Sequence, residues 1–227
     1  MSLLEFARGP GLAFALVVFF AGTAWRLFGI FRRPARVDHS LPRRTPTARD
    51  ALAAIWVRMF PRREYGSPRL GSTVNAYAYH VGLLLVVVTF APHIAFVERL
   101  TGLRWPALPD VVAYVATAAA ILGLVVALVH RTTDAVLRRL SNFDDWFTWA
   151  VVMAPLVTGM ALIDHQYVPA PPHPQPGMVS PGLLALHLIT LEVMLVWFPF
   201  GKLMHAVLAF VSRGRTGMAL ARKGAAQ

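Results

Sequence analysis

Five stretches of the sequence stay apolar for about the width of a bilayer, and no other feature constrains the fold as strongly. They are residues 11–31, 74–97, 111–129, 146–163 and 182–210. About 20 apolar residues cross the hydrocarbon core as a helix, and helices satisfy their own backbone polar groups there. The expected fold is therefore all-α, an integral membrane bundle of five transmembrane helices. Composition agrees: 56% of the 227 residues are hydrophobic and 15% are charged, against about 25% charged in soluble domains. The opening MSLLEFARGP lacks a basic region ahead of its apolar core, and RLFGIFRRPAR follows as a stop-transfer flank. The first span is expected to remain in the mature protein.

Orientation follows from the distribution of arginine and lysine. Ten arginines lie between the first two spans, Arg131, Arg138 and Arg139 follow the third, and Arg213, Arg215, Arg222 and Lys223 occupy the tail. The opposite side carries Arg8, Arg99 and Arg104. Seventeen against three puts the N-terminus outside and the C-terminus in the cytoplasm, in a multi-pass protein of the cytoplasmic (inner) membrane with lipid as its first partner. Most of the +11 formal charge is then a topology signal. Nucleic acid is not an expected partner, because the basic residues flank spans and lack interleaved exposed aromatics.

Residues 32–73 form a basic cytoplasmic segment. Within it Leu52, Ile55, Trp56, Met59 and Phe60 recur at helical spacing, predicting an amphipathic helix over about 48–60, capped by Thr47 and stopped by Pro61. Such a helix lies on the membrane face, rests against a partner, or is a surface helix tidying a loop. PAPPHPQP, residues 169–176, reads as an extended outer connection. Asp144 and Asp145 are expected to cap the start of the fourth span.

The chain has no cysteine, which excludes a disulfide, a thiolate metal site and an iron–sulfur cluster of its own. It has eight histidines. His39, His130, His165 and His173 fall in loops or at span ends, whereas His80, His93, His187 and His205 sit inside apolar stretches. Ionisable groups at that depth are costly and point to function. Residues 187 and 205 are 18 apart, five whole turns of one continuous helix, so both imidazoles are expected on one face about 27 Å apart. Depth order then opposes His80 to His205 and His93 to His187. Two pairs at two depths describe two bis-histidine b-type haems, with neutral imidazoles as axial ligands, and Gly82 would let a macrocycle approach the backbone. His80 and His93 would point about 140° apart on an ideal helix. Pro92 is expected to kink or rewind the helix and re-aim His93; the alternatives are a single haem on His80 and His205, or His165 in place of His93. Zinc fits poorly, because its ligands must converge on one point.

The stretches AYHVGLLL, SNFDDWFTWAVVMAPLVTGMAL and HLITLEVMLVWFPFGKLMH resemble the five-helix cytochrome b subunits of the respiratory nitrate reductase gamma type. VVVTFAPHIAFVERLTGLRWPALPD is closer to the branch that accompanies heterodisulfide-reductase-like iron–sulfur proteins in sulfur and transmembrane electron-transfer complexes. The resemblance covers roughly residues 11–210. It implies a membrane anchor that passes electrons between the quinone pool and a cytoplasmic iron–sulfur or catalytic subunit, as one part of an oxidoreductase complex. It also implies that His80 and His205 hold the cytoplasm-side haem and that His187 holds the outer one. His93 takes the fourth role from a position farther along the second helix than in nitrate reductase gamma subunits.

Quinone would bind at a haem edge, the outer one in nitrate-reductase-like relatives, where Arg99, Asp164, His165 and Tyr167 are candidates. Two other readings are a self-sufficient reductase of the cytochrome b561 kind and a haem-free transporter or scaffold subunit. Transporters usually carry inverted repeats, and none is evident.

Overall fold

The computed structural model describes residues 1–34, 39–60, 70–163 and 180–225. The expected all-α class is observed: every regular element among the described residues is helical. In chain order these are α1 (Leu3–Arg32), α2 (Ala48–Val57), α3 (Leu70–Thr89), α4 (Ala91–Thr101), α5 (Asp110–Thr133), α6 (Ala135–Leu140), α7 (Phe143–Met160), α8 (Pro181–Trp197) and α9 (His205–Arg222). A π-helical turn, Ala7–Gly11, interrupts α1.

Among the described residues three helices, α1, α3 and α5, are long and apolar enough to cross a membrane. Counting the bent pair Pro181–Trp197 and Lys202–Arg222 as one span makes four. Outward-facing Phe14, Phe20 and Trp25 on α1, and Val111, Val115 and Leu122 on α5, are each more than half exposed. An apolar surface of that kind is suited to lipid rather than water. The chain is a helical membrane protein.

The long helices pack in the sequence α3–α5–α7–α8–α1. Small residues set the closest approach: Ala113, Ala116 and Ala120 of α5 are buried, and a Cβ on Gly82 would lie 2.5 Å from the Ala116 carbonyl oxygen. Gly82 therefore serves helix packing; the expectation that it admits a macrocycle is corrected. Asn75 Nδ2 donates to the Gly123 carbonyl across the same contact, 2.9 Å. The core lies between α3, α5 and α7, around Val86, Leu124, Val152 and Leu156.

Two apolar stretches that read as single helices are broken. The stretch over residues 74–97 divides at Phe90, which has extended dihedrals (φ −79°, ψ 128°), and Pro92 sits in the first turn of the new helix α4. Proline is tolerated there because the first-turn N–H groups have no intrahelical acceptor. The stretch over residues 182–210 divides at Phe198–Gly201, and α9 leaves α8 at a bend of 75°. The five-turn relation between His187 and His205 is thereby corrected: they lie on different helices.

α9 packs against α2. Thr47 and Asp50 form the capping box of α2, so the expected cap is present, and the helix ends at Val57, short of residue 60. A Cβ on Gly217 would collide with the Ala54 methyl group and approach the Asp50 carbonyl oxygen at 2.6 Å. Leu52 and Trp56 remain about two-thirds exposed.

Candidate histidine sites

Although both helices break, the four histidines meet in the expected pairs. The rings of His80 and His205 lie 5.9 Å apart between centres, with their planes nearly perpendicular at 89°. Those of His93 and His187 lie 6.5 Å apart and nearly parallel, at 15°. The first pair is exposed and the second partly buried.

Each ring is held through Nδ1. His80 Nδ1 is 2.7 Å from the Ala76 carbonyl, His205 Nδ1 is 2.6 Å from the Lys202 carbonyl, and His93 Nδ1 is 2.9 Å from the Val86 carbonyl. A carbonyl only accepts, so these three imidazoles carry the proton on Nδ1 and present a free lone pair on Nε2. His187 Nδ1 lies 3.1 Å from Thr158 Oγ1. The Thr158 hydroxyl donates to Ala154 (2.8 Å), leaving its oxygen to accept from His187. The break at Phe90 is what lets His93 reach back seven residues to Val86.

Gly159 makes room for His187: a Cβ there would meet Cε1 at 2.9 Å and Nδ1 at 3.3 Å. At the other pair the turn ahead of His205 is clamped from α7. Asp144 Oδ1 accepts from the Lys202 backbone N–H, 3.1 Å. Asp145 pairs with Lys202 Nζ at 2.5 Å and with Arg131 at 2.8 Å. Burial works to raise the pKa of the Asp145 carboxyl, but the bonds from Lys202 and Asn142 and the charges of Arg131 and Lys202 outweigh it and hold the group below its ordinary value. The expected capping role of Asp145 is observed in its box with Asn142; its grip on the His205 turn is additional. Sequence spacing gave no sign of that grip, because Lys202 is 57 residues away.

A cavity of about 650 Å³ opens beside His205, with Arg26, Asp144, Phe200 and Lys202 in its wall. Among the described residues no three His, Cys, Asp or Glu side chains converge as a metal cluster. Of the outer-face candidates, Arg99 lies in the last turn of α4; Asp164, His165 and Tyr167 fall outside the described residues, as does the connection over residues 169–176.

Fold and site together define a helical membrane protein carrying two facing histidine pairs, each ring fixed through Nδ1. No family model matches the chain. It is 35% identical over 230 residues to a chain of Nitratidesulfovibrio vulgaris (strain Hildenborough) whose description reads simply "Protein", with 98% of this chain and 96% of the relative covered. The chain belongs to the same family as that relative.

Proposed function

We propose that the chain is a five-span, haem b-containing electron-transfer subunit, with its N-terminus outside and its C-terminus in the cytoplasm. In this reading it links the quinone pool to a cytoplasmic iron–sulfur subunit of the heterodisulfide-reductase-like kind. The observation that carries it is the spacing within both histidine pairs. Two metal–nitrogen bonds of about 2.0 Å each, plus about 1.1 Å from each nitrogen to its ring centre, separate the centres of two axial imidazoles by roughly 6.2 Å. The observed separations, 5.9 and 6.5 Å, bracket that value.

The residues present fit the group. Nδ1–H donation to a carbonyl or hydroxyl is the usual outer support of a metal-bound histidine, fixing the tautomer and raising ligand basicity. Arg26 at the cavity beside His205 would pair with a carboxylate of a haem there; Lys202 is already held by Asp145. Haem supplies one-electron redox chemistry at each pair; the chain supplies the ligands, their orientation and the apolar surroundings. With no cysteine of its own, the chain needs an external redox partner at its cytoplasmic end. The exposed Leu52 and Trp56 face of α2 and the basic tail offer a platform for one.

Paired substitution tests the reading. His80→Ala and His205→Ala should each remove one and the same haem, and His93→Ala and His187→Ala the other. Loss of a different haem within either pair would overturn it.

A further inference from the structure

Glu192 is the lone acid of α8, set within the apolar run LITLEVMLVW. It is 8% exposed, and its Oε1 has no hydrogen-bond partner among the described residues. A buried carboxyl with an unpartnered oxygen is costly, so its presence calls for a group that the described chain does not supply to Oε1.

Opposite stands the π-helical turn Ala7–Gly11 of α1, with Pro10 inside it. Such bulges concentrate at functional sites. Gly11 brings no side chain, and a Cβ there would sit 2.7 Å from Glu192 Oε2. Between the helices lies a cavity of about 300 Å³, with Phe6, Phe14, Phe147 and Trp197 in its walls and Glu192 as its ionisable group. Val193, 44% exposed, stands at its edge, so the cavity opens toward the lipid side. Small-molecule sites begin near this volume and pair apolar walls with one or a few polar groups. Four aromatic side chains suit a planar ring. Among the described residues the wall holds no cation to receive an anionic head group, and a plain acyl chain would leave Glu192 Oε1 unpaired.

From this geometry we infer that the α1–α8 cleft binds an uncharged, lipid-soluble ring compound bearing hydroxyl or carbonyl oxygens, the chemistry of a quinol head group, with Glu192 as its hydrogen-bonding anchor. The inference rests on the electron-transfer reading and places its quinone in a cleft whose lining does not include Arg99.

The test is equilibrium binding of a radiolabelled short-chain naphthoquinone to the full-length protein in detergent, beside Glu192→Leu and Val193→Trp variants. Glu192→Leu should weaken binding about tenfold, the scale of one hydrogen bond to an ionisable group, while thermal stability holds or rises because the unpaired carboxyl is gone. Val193→Trp should obstruct the cleft and weaken binding at least as much. Unchanged affinity in Glu192→Leu, or equal affinity for an alkyl analogue lacking the ring, would overturn the inference. Haem content measured on the same samples separates the two proposals. Glu192-dependent binding without haem sinks the electron-transfer role alone, and Glu192-independent binding with haem sinks the cleft alone.

Discussion

On the proposed two-haem reading, replacing Gly159 by alanine should disturb one haem and spare the other. The added methyl carbon would stand 2.9 Å from His187 Cε1 and 3.3 Å from Nδ1, against an optimal separation of about 3.5–4.0 Å. The imidazole must retreat by about half an ångström or more. It is also tied to Thr158 Oγ1 at 3.1 Å, so retreat stretches that bond as well. Overpacking of this kind costs about 1–3 kcal/mol, a factor of about 5 to 150 against the ligated arrangement at the His93–His187 pair. The assay is the reduced-minus-oxidised spectrum of the purified variant at low temperature, set beside His93→Ala and His80→Ala as references. The variant should show a shifted or depleted His93–His187 signal and an unchanged His80–His205 signal. Gly82→Ala, which meets the Ala116 backbone at 2.5 Å, should instead lower the stability of the whole bundle. An unperturbed spectrum in Gly159→Ala, or loss of the His80–His205 signal, would refute the reasoning.

Thr158→Val removes the hydroxyl acceptor of His187, making the ring a weaker electron donor. Redox titration should find the midpoint of that haem raised while the other stays put. Asp145→Ala frees Lys202 and Arg131 at once; both partners are more than a third exposed, so solvent screening holds the cost to about 1–2 kcal/mol, read as preferential loss of the His205 haem on mild denaturant titration. Because the Asp145 carboxyl sits below its ordinary value of 3.8, its contribution is present above that pH and is lost as pH falls through the lowered value. The His205 signal should therefore be level from pH 7 to about 5 and fall only in stronger acid, followed by spectral pH titration. Gly217→Val should lever α2 off α9 through the contact with Ala54 and Asp50, detected as faster proteolysis of residues 48–60 with both haem signals retained.

The membrane class, the amphipathic helix with its Thr47 cap and the pairing of the histidines were legible because each depends on composition, local spacing or depth. The breaks were harder to read. Phe90 and Phe198–Gly201 lie in apolar sequence on both sides, so hydropathy runs through them without a pause. Pro92 marked the first break, but a proline signals a kink within a helix and the first turn of a new one equally well. The five-turn spacing of His187 and His205 misled in the same way, since the helix that would make it meaningful ends at Trp197. The pairing held because it follows from the order of depths, which survives a bend. Gly82 carries no local mark of whether it faces a neighbouring helix or a ligand. Glu192 carried a usable signal, as an isolated acid within an apolar run, although its partnerless burial emerges only when α1 packs against α8.

The central claim is met most directly by the haem content of the purified chain, measured as pyridine haemochrome per polypeptide. Two b-type haems per chain are predicted, falling to one in either His80→Ala or His187→Ala. A chain that purifies folded and helical with no haem would contradict the account.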